Sequence, residues 1–320
     1  MGPLVSVVVP VYNEMTTLQE TLRTILAQEY EEFEVIVVDD GSTDASAAVA
    51  HGIADRHECV RVIENETNFG QSFTRNRGTV AADGKYLVFH DADDLSTPDR
   101  LVKQVAFMEN HPEVGVVGSA YYYDNLLRDE RTVRVRPTDD ETLRRNLARE
   151  SMVNLGSAMY RWSALADTSL FRADHIEGYD LLVRIAADHE IANLRDPLYV
   201  YRVSENSMSR RDELAKKLTL VRRGVQSVQT LGVGHLHLCL APGWLAYMHA
   251  PDRVKAAIRH LFSPTENRAF TAEDEHRLQR TLAVAAGEEP TTASGHSVDA
   301  TTGDAESAAR VHDRRPSPPD

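Results

Sequence analysis

Residues 5–27 read VSVVVPVYNEMTTLQETLRTILA. A run of β-branched residues reaches a polar turn, PVYNE, and then apolar residues recur every three or four positions, so a strand is followed at once by an amphipathic helix. The unit repeats along the first third of the chain. Strands are predicted at Val5–Val9, Glu34–Val38, Val60–Ile63 and Tyr86–Phe89, with helices at about 14–27, 44–56 and 71–82 between them. Asn13, Ser42 and Thr43 are placed to cap the first two helices, the third follows Gly70, and a fourth starts at Pro98 and ends near Asn110. Strands alternating with helices in this way predict βαβ units around a parallel sheet.

Further strands are predicted at Val114–Val117 and Ala120–Tyr123, at Arg131–Pro137, at Gly156–Tyr160 and at Pro197–Val203, with a helix near Glu177–Ala187. The alternation of RTVRVRP suggests an exposed antiparallel strand, so the sheet should be mixed. From Asp212 the chain reads helical, again near Pro251–Phe262, and beyond about Gly287 it has almost no large apolar residues and should be disordered. The expected organisation is a first domain over 1–210, a helical extension over 211–286 and a tail over 287–320.

The chain has 49 acidic and 35 basic residues, a net charge of −14, and only five lysines among the basic ones. That balance excludes a general nucleic-acid binder, because a phosphate backbone would be repelled. Cys59 and Cys239 lack metal-ligand spacing and suggest no disulfide framework. No signal segment opens the chain, which reads as cytoplasmic. The stretch Leu231–Met248 is apolar but interrupted by Gly, His and Pro; it reads as core, with a peripheral membrane contact as the alternative.

In open α/β sheets, ligands bind beyond the carboxyl ends of the strands. Here the first strand ends in PVYNE, the second in DDGSTD and the fourth in HDADD, which brings Asp91, Asp93 and Asp94 together. Three like charges so close are either a solvated turn or a site completed by a cation. Neither GxGxxG after the first strand nor GxxxxGK[ST] occurs, which disfavours a dinucleotide oxidoreductase and a P-loop enzyme.

PVYNE (Pro10–Glu14), VVDDGSTD (Val37–Asp44), NFGQSFTRNRG (Asn68–Gly78) and HDADD followed by PDRL together resemble the family 2 glycosyltransferases, over about Val5–Ser209. The resemblance implies the α/β GT-A fold, a Rossmann-like mixed sheet flanked by helices, here with a C-terminal helical extension and a disordered tail. It implies that Pro10, Tyr12, Glu14, Asp40 and Arg75 line the nucleotide pocket, with Asp40 accepting from the base; the alternatives are capping for Asp39 and Asp40 and a solvated helix charge for Arg75. It also implies that Asp93 ligates Mg2+ or Mn2+, with Asp91 contacting ribose or the metal shell, and that the metal would neutralise the charge of a nucleotide diphosphate leaving group. Asp94 fits no assigned role and is expected to belong to the turn.

Two departures from the family pattern concern chemistry. EGYDLLVRIA (Glu177–Ala186) matches an EDYDLWLR-like helix start, but Gly178 stands where an acid is expected as general base, leaving Glu177 and Asp180 as catalytic candidates or as acids complementing the helix dipole. In YRVSENSMS (Tyr201–Ser209), Ser204 replaces a histidine, while Arg202, Ser207 and Ser209 remain; Arg202 either holds the diphosphate or forms a structural pair. The implied activity is inverting transfer from a nucleotide diphosphate sugar, UDP-linked by expectation, to a hydroxyl of a glycan or lipid-linked saccharide in surface glycoprotein or polysaccharide assembly, at the inner face of the membrane. A polyprenyl phosphate acceptor, already ionised, and a non-catalytic nucleotide-sugar-binding scaffold are the other readings.

Overall fold

The computed structural model describes residues 2–147, 150–172, 177–204, 230–231 and 265–288, with nothing to be said of the side chain of Glu177. The predicted helices after Asp212 and at Pro251–Phe262, the apolar stretch from Leu231 (beyond its first residue), Ser207, Ser209, Cys239 and the tail past Glu288 all lie outside these residues.

Among the described residues ten strands form one sheet, in the order β10-β7-β6-β8-β4-β1-β2-β3, with β9 pairing β6 and β5. Strands β1 (Val5–Val11), β2 (Phe33–Asp39), β3 (Val60–Glu64) and β4 (Tyr86–Phe89) are parallel; β1, β2 and β4 are mostly apolar and buried, as strands covered on both faces must be, while β3 at the sheet edge carries Arg61 and Glu64. The one polar residue inside β1, Ser6, is buried yet satisfied: its hydroxyl donates to Glu34 at 2.6 Å and accepts from the Gly84 amide.

Helices α1 (Leu18–Leu26), α2 (Ser46–Ala54) and α4 (Arg100–Asn110) cover one face, through Leu22, Ile53 and Val105 among others. The other face carries α3 (Gln71–Ala81), α5 (Asp140–Leu147), α6 (Trp162–Ala166) and α7 (Glu177–Asp188). Gly78 of α3 sits so close to β1 that a Cβ there would lie 2.3 Å from Val8 Cγ1, which pins this helix against the central strand.

The antiparallel part differs from expectation in instructive places. The two strands predicted at 114–117 and 120–123 are one long strand, β6 (Val114–Asn125). Gly118 does not break it, because the glycine admits Asn193 of β9 (Glu190–Val203): a Cβ there would meet Asn193 Oδ1 at 2.2 Å. β7 (Glu130–Val135) is antiparallel to β6 as predicted, but its outer edge is paired with β10 (Glu266–Arg268). A two-residue strand, β5 (Leu95–Ser96), joins β9, and β8 (Met159–Arg161) completes the sheet between β4 and β6.

The last helix, α8 (Ala272–Ala286), has a capping box in which Thr271 and Asp274 exchange bonds, and it ends at Gly287 in the left-handed conformation (φ 87°). Its Leu278 and Ala285 share a core with Tyr122, Val133, Val135 and Val200. No helix among the described residues is long and apolar enough to cross a membrane.

Candidate functional site

β1 is flanked by β4 on one side and β2 on the other, so the chain reverses its lateral order beside β1 and leaves a crevice at the strand ends. The turns after β1 and β2 are sewn together there. Asn13 accepts from the Thr43 amide at 2.8 Å, Ser42 accepts from the Asn13 amide at 3.0 Å, and Ser46 accepts from the Glu14 amide at 2.8 Å. Asn13 and Ser42 therefore do not cap the helices they precede, because their side chains satisfy amides of the facing turn, and Thr43 spends its hydroxyl as well as its amide as a donor to Asn13 Oδ1. Asn13 takes positive φ (58°) to make the exchange possible.

Asp40, buried at the end of β2, accepts from Asn65 Nδ2 (2.6 Å) and the Phe69 amide (2.9 Å) on one oxygen, and from the Gly70 amide (2.8 Å) on the other. It thus fixes the loop that leads into α3, and a carboxylate with about four acceptor sites keeps room for one more donor. Asp39 uses one oxygen for the Ser42 amide, while its buried Oδ1 has no partner among the described residues. Pro10, near the end of β1, is half-buried, and Tyr12 just beyond the strand is exposed.

On the other side of β1 the three acids after β4 have different fates. Asp91 Oδ1 receives Arg75 Nη2 from α3 at 3.0 Å, and that guanidinium lies over the Phe171 ring at 5.7 Å. Asp93 is held mostly out of water, and burial, then the charges of Asp91 and Glu14, push its carboxyl up to about 7. Glu14 is raised for the same reason, burial first, then Asp44 and, more weakly, Asp91, against a bond from the Thr17 hydroxyl. Asp94 points inward: it accepts the Tyr199 hydroxyl at 2.7 Å and the Arg202 amide at 2.8 Å, tying the loop to β9. Burial and its two acidic neighbours raise it well above the usual carboxylate range.

Behind the loop lies a polar network with no surface exposure to speak of. His90 Nδ1 donates to the Asp91 carbonyl, so its Nε2 accepts from the Ser96 hydroxyl at 3.0 Å; burial and Arg100 push the imidazole down to about 3, and it stays neutral. Ser96 in turn accepts from Arg100, which also reaches Gln104 and the carbonyls of Gly156 and Ala158 and lies over the Tyr199 ring. The PDRL signature includes this arginine, but its partners in the 156–199 region lie too far along the chain for a sequence pattern to reveal.

Arg202 donates through Nε to the Asp93 carbonyl and through Nη1 to Glu20 at 2.6 Å, while Nη2 is buried without a partner among the described residues. Structural pairing and an available donor thus coexist in one side chain. Glu14, Asp91 and Asp93 offer only oxygen, the ligand type of hard cations such as Mg2+ or Mn2+, but among the described residues no three His, Cys, Asp or Glu side chains converge as a metal site.

The helix start at α7 lies on the α3 side. Asn76 of α3 clamps Phe171 through both its backbone groups, and Ser72 donates to the Arg172 carbonyl. Asp180 is buried and accepts from Arg184 at 3.1 Å, with Arg172 at 4.0 Å. Gly178 faces Leu155, whose Cβ would lie 3.2 Å from an added Cβ.

The model of the family described as Glycosyl transferase family 2 matches residues 6–168. A Bacillus subtilis relative, "Putative glycosyltransferase EpsE", is 34% identical over 219 residues, covering 66% of this chain and 77% of the relative. Among solved structures, S. aureus TarS 1-349 in complex with UDP-GlcNAc superposes with a TM-score of 0.61 at 19% identity, covering 89% of this chain and 80% of that one. The mannosyltransferase PcManGT from Pyrobaculum calidifontis, in complex with GDP-Man and Mn2+, gives 0.57 at 20% identity, with coverage of 90% and 87%. The two structural likenesses concern the fold, which is that of the GT-A glycosyltransferases.

Proposed function

Because this chain belongs to glycosyltransferase family 2, we propose that it is an inverting enzyme that moves a sugar from a nucleotide diphosphate sugar to an acceptor hydroxyl with the help of Mg2+ or Mn2+. The observation that carries this reading is the crowding of Asp93 by Asp91 and Glu14 in the crevice beside β1. Such a group gains from a cation, and a diphosphate supplies the remaining oxygens. UDP-GlcNAc and GDP-Man, bound by the two structural neighbours, identify the donor class to try first.

In this reading Asp40 and Tyr12 face the base, with Pro10 and Glu14 in the same pocket, and Arg75 holds Asp91 toward the nucleotide. Arg202 offers Nη2 to the diphosphate. Asp93 and Asp91 would hold the metal, whose chemistry is neutralisation of charge on the leaving diphosphate. Glu177, first residue of α7, takes the proton from the acceptor hydroxyl, and Asp180, paired with Arg184, positions that helix start. The acceptor is a glycan or lipid-linked saccharide of polysaccharide or surface-glycoprotein assembly, met at the inner membrane face, and the chain divides into a catalytic domain over 1–210, an extension over 211–286 and a tail. Gly178 packed on Leu155 favours a second reading, in which a polyprenyl phosphate acceptor needs no base at all.

Thermal unfolding with UDP and Mn2+ tests the proposal, since a ligand at about 100 times its Kd stabilises the folded state by about 2.7 kcal/mol. The midpoint should rise only when both are present, and Asp93→Ala should abolish the rise. Glu177→Gln should leave that rise intact and lower transfer about hundredfold or more. Metal-independent stabilisation, or an active Asp93→Ala variant, would overturn the metal assignment.

A further inference from the structure

Thr132, Arg134 and Arg136 alternate along and just past β7 with Val133 and Val135, which pack in the core beneath α8. The three polar residues therefore share the opposite face of the sheet. There the register sets Arg134 beside Tyr121 and Thr132 beside Tyr123 of β6, and sets those tyrosines beside Tyr199 and Tyr201 of β9. Tyr201 stacks on Tyr123 (5.9 Å between centroids, 19° between planes), and Arg134 lies 4.7 Å over the Tyr123 ring.

On this strip Thr132 Oγ1, Arg134 Nε, Arg136 Nε and Arg136 Nη1 are all buried, and none has a hydrogen-bond partner among the described residues. Buried polar atoms are nearly always paired, and here four orphans fall on three alternate residues of one sheet face. Nor does a shortage of acids explain two arginines that meet no carboxylate among the described residues, in a chain with 49 acidic and 35 basic residues. Every one of the four atoms can donate, and a guanidinium can only donate. The partner they fit is rich in acceptors and negatively charged, and the half-buried rings of Tyr123 and Tyr201 add flat apolar faces beside it.

The strip also begins at the donor site. Tyr199 donates to Asp94, and Arg202, the residue after Tyr201, donates to the carbonyl of Asp93. We propose that this face is an acceptor subsite for an anionic saccharide chain, with a carboxylate or phosphate on Arg134 and Arg136 and sugar rings against Tyr123 and Tyr201. The inference rests on the glycosyltransferase reading and names the acceptor class for it.

The test measures binding of three fluorescent oligomers to the full chain with UDP and Mn2+ present, so that the donor site is filled. The oligomers are an oligo(glycerol phosphate), an oligogalacturonate and neutral maltohexaose; the first two separate phosphate from carboxylate as the source of charge. At least one anionic oligomer should bind more tightly than maltohexaose, and the double variant Arg134→Gln, Arg136→Gln should weaken it by about tenfold or more, while UDP and Mn2+ still raise the melting midpoint. If the glutamine variant does not fold, the Arg134→Lys, Arg136→Lys variant and the salt dependence of the parent replace it: binding should persist with lysine and weaken with added salt for the anionic oligomers alone. Equal binding by maltohexaose, no binding of either anion to the parent, or no effect of the glutamine pair would overturn the subsite. A parent that fails to respond to UDP and Mn2+ would instead overturn the donor reading.

Discussion

Asp40 spends both carboxylate oxygens on three donors from the loop before α3, so its charge is a structural requirement as well as a binding feature. Asn at this position must turn an amide toward backbone donors or leave one of them unmet. Asp40→Asn should therefore cost about 2–3 kcal/mol in chemical unfolding and also weaken UDP binding; unchanged stability would mean that the loop holds itself. At this scale the motif acids were legible, since a carboxylate directly behind an apolar strand lies at the strand end by local geometry alone. Asp94 was legible only as part of a turn. Its partner Tyr199 is 105 residues away, and no local pattern links them. Asn13 and Ser42 misled for a related reason: a short polar side chain before a helix caps it only if no nearer amide competes, and here the facing turn supplies one, while the Thr43 hydroxyl donates to Asn13 instead.

α4 carries a buried cation at its first residue. Arg100 forks among Gln104, Ser96 and the carbonyls of Gly156 and Ala158, and so joins α4 to the segment before β8. Arg100→Met should cost about 3–5 kcal/mol by leaving these acceptors buried and unpaired, and Arg100→Lys should rescue little, because one ammonium cannot span the fork. Denaturant unfolding followed by circular dichroism reads both. The four parallel strands were predicted within a few residues of their bounds, whereas β9 starts at Glu190 rather than Pro197 and β6 is one strand where two were expected. Those missed are α5, α6, β5 and β10, which are short, and α5 is polar except for Leu143 and Leu147. Its place is set by tertiary contacts: Asp140 accepts from the Ile191 amide of β9, and Arg144 donates to the carbonyls of Ala186 and His189.

Across the whole molecule, α8 lies far from the crevice in sequence yet completes the core. Leu278 is fully buried, and Leu278→Ala should cost about 2–5 kcal/mol. Asp274, held by Arg268 and Thr271, is lowered to about 2 from 3.8 despite its burial. A depressed carboxyl stabilises the fold above its unfolded pKa and loses that contribution as pH falls through the folded one. Asp274→Asn should thus cost about 2–3 kcal/mol at pH 7, cap included, and the gap from the parent should close between about pH 4 and pH 2 in urea titrations. None of this was visible in the sequence beyond a helical reading, because which strand a late helix covers depends on closure of the entire sheet. That closure has a kinetic side. Arg23 of α1 donates to the carbonyl of Ala285 across 262 residues, so the ends of the chain must meet before the last core cluster is sealed. Contacts of such separation add little entropy cost per added residue but slow the search for the native state. Refolding should then slow when the packing of α8 is weakened, and until α8 docks, Tyr122, Val133 and Val200 lack the cover that Leu278 and Ala285 give them.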